Sequence, residues 1–313
     1  MRDWREPKRY AMLAACANQA RGREAVNMRY EAPVSLDQAV ALLAAERGEA
    51  RVLAGGTDLL VQMRTEVIEP VLLVDIKGIA ELRQIKQEAG GYRIGAAVTG
   101  AELKEHPSLK AVWPGVVEAA NLIGSTQIQG RATMGGNLCN GSPAADSVPA
   151  LIAAGAKVSI VGPAGRREVP VEEVMLSPRK LSLAKGELIA SFVLPAKAAR
   201  SGDAYLRFIP RTEMDIAVVG CGVCLTLDAK GTCTAARVAL GAVAERPLLV
   251  AAAAAALIGS TVDEAALAKL DAAAQAACRP IDDKRGTKEY RIKVAGVLAR
   301  RAAQIALERA RKG

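Results

Sequence analysis

The 313-residue chain has few aromatic side chains, 3% in all: five Tyr, two Phe and two Trp. Ala, Val and Leu must therefore build its core, within a hydrophobic fraction of 51%. Histidine occurs once, as His106 beside Pro107, where a structural or solvent-exposed role is expected. This leaves no Ser-His-Asp or Cys-His arrangement for nucleophilic catalysis. Six cysteines (16, 139, 221, 224, 233 and 278) show no disulfide-framework spacing, so a reducing, cytoplasmic setting is the expectation. Long apolar runs are missing too: the stretch at 251–257 is short, helix-forming alanine, which argues against membrane insertion.

Two familiar phosphate-binding signatures are also absent. No glycine loop is followed by Lys-Ser or Lys-Thr, and no G-x-G-x-x-G opens a helix, as a P-loop or a dinucleotide-binding turn would require. The nearest approach, around Gly220 and Gly222, lacks the third glycine and reads as strand. Cys221 and Cys224 in the same run resemble half of a metal site. Residues three apart on a strand face opposite ways, however, and no second pair lies nearby, so buried structural thiols and no metal are expected.

Lys and Arg outnumber Asp and Glu by 42 to 33, for a net charge of +9. The cations are scattered except at 200–211 and 300–312. No interleaving of basic and aromatic residues marks a nucleic-acid module, and a solvated basic surface is the simpler reading. Near the start, Arg2, Arg5, Lys8 and Arg9 precede a short apolar segment at 11–17, but Asp3 and Glu6 break the pattern of an export signal. Residues 1–27 are expected to form a disordered extension.

Two pairs of adjacent glycines carry most of the information. Leu53, Ala54, Gly55, Gly56, Thr57, Asp58 and Leu59 follow a short apolar run, and Thr133, Met134, Gly135, Gly136 and Asn137 form a second such loop. Adjacent glycines beside a hydroxyl or amide let backbone N–H groups come close to a diphosphate, because no Cβ intervenes. Each pair alone is a weak signal, for which an ordinary turn is the commoner explanation.

The segments 52–59, 125–137 and 140–146, in that order, resemble the FAD-binding medium subunit of the molybdenum hydroxylases, the carbon monoxide, xanthine and aromatic-compound dehydrogenase type. The resemblance runs from about Met28 to the last helix. It implies an α+β protein: two α/β FAD-binding subdomains of the vanillyl-alcohol-oxidase type (28–85 and 86–203), then a C-terminal α+β domain (204–313). It further implies noncovalent FAD, held by Leu53 to Leu59 and by Thr133 to Asn137. Asp146 would accept from FAD hydroxyls, with helix N-capping as its other reading. Ile189, Arg207 and Ile216 would lie near the cofactor, the two isoleucines being equally explicable as core.

The function implied is electron transfer: a large molybdopterin subunit oxidises the substrate, [2Fe-2S] clusters of a small subunit relay electrons, and FAD here delivers them to an external acceptor. A dimer of heterotrimers is the implied assembly. Two alternatives are an autonomous FAD-dependent oxidoreductase and a flavin-free scaffold subunit. No catalytic acid or base is expected on this chain.

Local patterning predicts helices at 36–47, 101–104, 108–123 and 146–154, with loop from 124 to 143. Strands are expected at 51–54, 71–75, 82–86, 92–97, 157–161, 167–169 and 187–194. A polar link at 196–203 should lead to strands at 205–209, 215–228 and 232–241, then to helices at 247–258, 262–278 and 288–311.

Overall fold

The computed structural model describes residues 28–313; the N-terminal extension and Cys16 lie outside the described residues. The first layer is a parallel sheet of β1 (Arg29–Glu31), β3 (Leu72–Asp75) and β2 (Ala50–Leu53), in that order. Parallel neighbours need crossovers, supplied here by α1 (Leu36–Ala45) and α2 (Leu59–Arg64). The Ser35 hydroxyl caps α1 by accepting from Gln38 N, and Leu36, Ala39, Val40 and Leu43 form its buried face. Those side chains meet Leu72 and Val74 of β3 and also Val161 and Leu188 of the next layer. Each fully buried Leu contributes about 2 kcal/mol, so the first layer is stabilised by the second.

The second layer is an antiparallel sheet of β4 (Ile85–Glu88), β5 (Gly91–Gly95), β10 (Leu188–Leu194), β6 (Lys157–Gly162) and β7 (Gly165–Pro170), in spatial order. Helices α3 (Gly100–Glu105), α4 (Pro107–Val112), α5 (Pro114–Ala120), α6 (Thr126–Gln129), α7 (Met134–Cys139) and α8 (Ser147–Ala153) accompany it. Pro107 and Pro114 each open a helix, where the missing N–H is harmless. The scarce aromatics Tyr92, Trp113 and Phe192 are concentrated in this core. A small hairpin, β8 (Met175–Ser177) and β9 (Lys180–Leu181), lies between β7 and β10.

The C-terminal unit is a second antiparallel sheet of β11 (Ser201–Phe208), β12 (Val219–Leu227), β13 (Cys233–Gly241) and β14 (Leu248–Leu249). It is backed by α9 (Ala251–Leu257), α10 (Glu264–Ala277) and α11 (Lys288–Lys312). Buried alanines of α11, among them Ala295, Ala299, Ala302 and Ala306, pack with Val219, Cys221 and Val223 of β12. Cys221 lies in this core while Cys224, on the other face of β12, packs against the core of the second layer. Burial pushes both thiols up, Cys224 to about 12, so they remain protonated and inert.

Five expectations need correction, the first being that the helix expected from 247 starts at Ala251, after the two-residue strand β14. The stretch 124–143 is not all loop but contains α6 and α7. The strand expected from 215 starts at Val219, because Asp215 is drawn to Arg285 at 2.8 Å. The hairpin expected from 82 starts at Ile85, after a 3₁₀ turn over Ala80–Arg83. Finally, β11 already begins at Ser201, inside the stretch read as a polar link.

Candidate cofactor site

A cavity of about 600 Å³ opens between the two N-terminal layers, within the usual range for small-molecule sites. The chain leaves β2 at Leu53 and turns through Ala54 to Asp58 before entering α2. Ala54, Gly55, Gly56, Thr57, Asp58 and Leu59 all line the cavity. Backbone N–H groups from Gly55 to Leu59 find no acceptor among the described residues. Amides facing a cavity with nothing to donate to are an anion cradle in waiting. Gly56 makes the turn possible with φ at +80°, a conformation that costs a side-chain-bearing residue about 1 kcal/mol or more. Leu53 itself is buried beneath the loop rather than on the cavity wall.

The second glycine pair differs from the turn expected of it: Gly135 and Gly136 form the first turn of α7. Met-Gly-Gly-Asn is a poor helix former, so the turn depends on tertiary anchors. Met134 and Leu138 are buried in the core, and the Thr133 hydroxyl accepts from Gly136 N at 2.9 Å. Thr133, Gly135, Gly136 and Asn137 line the cavity opposite the first loop; Met134 does not. Asn137 accepts from both the N–H and the hydroxyl of Ser147, at 3.0 and 2.7 Å.

The remaining expected residues divide. Ile189 is on the cavity wall, whereas Asp146, Arg207 and Ile216 are not part of its lining. Asp146 makes no helix cap; instead its Oδ2 accepts from Arg207 Nη1 at 2.9 Å and its Oδ1 from the Tyr205 hydroxyl at 3.4 Å. Burial pushes the Asp146 carboxyl up to about 6, with Arg207 opposing the shift. Arg207 also donates to the Leu122 carbonyl at 2.7 Å, next to cavity-lining Ile123. This pair therefore braces the site from behind. Ile216 is 53% exposed on the segment before β12, which removes core packing as its explanation.

Several lining residues gave no sequence signal. Arg47, Arg179 and Lys185 line the cavity, and their charged groups have no partner among the described residues. Arg179 occupies the β8–β9 turn with φ at 63°, and its N–H donates to the Gly141 carbonyl at 2.9 Å. Gln62 of α2 donates to Asn140 at 2.7 Å, joining α2 to the end of α7 at the cavity both residues line. These residues come together only through long-range packing. His106, by contrast, accepts from Leu109 N through Nδ1 and is absent from the cavity wall; it caps α4.

Free amides, unpaired cations and a wall of small residues fit an elongated dianionic dinucleotide. The family described as the FAD binding domain in molybdopterin dehydrogenase matches residues 26–197. The chain belongs to this family. A second family, the CO dehydrogenase flavoprotein C-terminal domain, matches residues 204–306. The carbon monoxide dehydrogenase medium chain of Afipia carboxidovorans is 36% identical over 282 residues, 90% of this chain and 97% of that one. The xanthine dehydrogenase FAD-binding subunit of Escherichia coli O157:H7 is 36% identical over 221 residues, covering 70% of this chain and 75% of its own. The solved carbon monoxide dehydrogenase of Hydrogenophaga pseudoflava, in a form that lacks the Mo-pyranopterin moiety, matches with a TM-score of 0.86 over 90% of this chain and 98% of that one, at 36% identity. This protein is thus an FAD-binding subunit of a molybdenum hydroxylase, the flavoprotein component of a multi-subunit oxidoreductase.

Proposed function

We propose that the FAD diphosphate lies against the unpaired amides of Gly55 to Leu59, with Thr133, Gly135, Gly136 and Asn137 closing from the other side. Ala54, Thr57, Asp58, Leu59 and Ile189 complete the contact surface, and Arg47, Arg179 and Lys185 offset the charge of the cofactor. The observation that carries this reading is the run of N–H groups in the cavity wall that lack an acceptor among the described residues. Leu53 and Met134 act from beneath, by fixing the two loops in the core. Asp146 and Arg207 act through position, and Ile216 lies outside the lining.

Bound FAD supplies the conversion between single-electron and paired-electron transfer. The chain's own task is to bind and orient it and to keep its diphosphate neutralised. In this reading electrons arrive from [2Fe-2S] clusters of a small partner subunit, originate at a large molybdopterin subunit, and leave to an external acceptor. The assembly is a dimer of heterotrimers in the cytoplasm.

The test is reconstitution. Purified full-length chain should take up FAD in a one-to-one ratio and turn yellow, and substrate-driven reduction of that flavin should require both partner subunits. Reduction by an organic substrate without partners would instead make it an autonomous oxidoreductase, and a chain that takes up no FAD would end the reading.

A further inference from the structure

Ser147 opens α8 and is completely buried. Both of its donors, N–H and Oγ–H, converge on the Asn137 side-chain oxygen. An asparagine amide has an oxygen face and an NH2 face that normally exchange roles by a flip. Here the flip is decided, because a backbone N–H can only donate and so must face the oxygen. The two Ser147 bonds engage both lone pairs of that oxygen. The NH2 group of Asn137 has no acceptor among the described residues, and Asn137 lines the cavity.

Ser147 is itself held in place. Its neighbour Asp146 is tied to Arg207 and Tyr205 of β11, and the next residues, Val148 and Leu151, are buried in the core. The C-terminal unit therefore fixes Asp146, Asp146 fixes the start of α8, and Ser147 fixes the asparagine.

We propose that Ser147 is a positioning residue for cofactor binding: it locks the Asn137 amide so that NH2, not oxygen, meets the ligand. Asn137 then reads an acceptor oxygen of the dinucleotide and rejects a donor at that place. The proposal rests on FAD occupying this cavity.

The test is a double-mutant cycle on the full chain freed of flavin, titrated with FAD by quenching of flavin fluorescence. Asn137→Asp keeps both Ser147 bonds but puts a carboxylate oxygen where the NH2 stood. Its affinity for FAD should fall by about tenfold or more, while the unfolding midpoint without FAD holds or rises. Ser147→Ala removes one of the two anchors and should weaken FAD binding by about threefold. That loss should vanish in the Asn137→Asp background, because the effect of Ser147 runs through the amide. Equal losses in both backgrounds, or wild-type affinity in Asn137→Asp, would overturn the proposal while leaving the cavity reading intact. A wild-type chain that binds no FAD would overturn both.

Discussion

Gly55 meets Arg131 where the two glycine-bearing segments cross: a Cβ added to Gly55 would stand 2.0 Å from the Arg131 carbonyl oxygen. The glycine is required by protein backbone, whether or not a ligand is bound. Gly55→Ala should therefore destabilise the chain by about 3 kcal/mol even without FAD. Gly136→Ala, whose Cβ would meet nothing closer than Thr133 Oγ1 at 3.2 Å, should cost about 1 kcal/mol or less. Urea unfolding of the two flavin-free variants checks the difference, and equal costs would show that the loops do not cross here.

The Arg207–Asp146 pair, at side-chain exposures of 3% and 11%, gives a second prediction. Removing one partner leaves a charge buried without compensation, so Arg207→Met should cost about 3 kcal/mol or more. The double variant Arg207→Met with Asp146→Asn should cost less than the sum of the single ones. Denaturation midpoints for the four proteins provide the measurement, with additive costs the contrary result.

Asp146 also predicts a pH effect. Its carboxyl titrates at about 6 in the folded chain against about 3.9 when unfolded, so the native state holds the proton more tightly. The resulting stabilisation is full below about pH 4 and is lost as pH rises through about 6. Wild type should thus lose up to about 3 kcal/mol relative to Asp146→Asn between pH 4 and pH 7. Thermal unfolding of both across that window should show the gap changing in this direction; a constant gap would assign Asp146 an ordinary carboxyl.

In β11, Asp203 is bonded to Lys197 and accepts from Gly115 N at 2.8 Å, while Lys197 lies 4.7 Å from the centre of the Trp113 ring. Asp203→Ala leaves the Lys197 ammonium without its counter-ion and the Gly115 amide without an acceptor, and should cost about 3 kcal/mol. The backbone of the same residue accepts from Arg309 at 2.7 Å, so α11 should loosen as well. Faster hydrogen exchange in both α5 and α11 is the expected signature; exchange confined to one of them would contradict a shared anchor.

Much of the fold was legible because its signals are local. The Ser35 cap followed by Leu36, Ala39, Val40 and Leu43 marks α1 in sequence and in structure. Short, nearly continuous apolar runs likewise locate β6 and β10, and the alanine periodicity of 288–311 matches α11 almost to the residue. Segments that lacked an autonomous pattern were misread. α7 contains two glycines and exists because Met134 and Leu138 are buried and Thr133 caps it. Similarly, Ser201 to Asp203 look like a polar link, yet Ser201 pairs with Thr226 and Gly202 lies directly against the backbone of α11.

The site shows the same division. The amino-acid order alone determined which stretches carry paired glycines and small polar neighbours, since the freedom of a residue without Cβ is intrinsic to it. Only the tertiary structure decided which of these atoms face the cavity: Ile189 does, Arg207 and Asp146 lie outside its lining and pair with each other, and Arg179 enters from a distant hairpin. Which way a side chain points, and whether its donors are already engaged, depends on partners tens of residues away, and no local pattern encodes them.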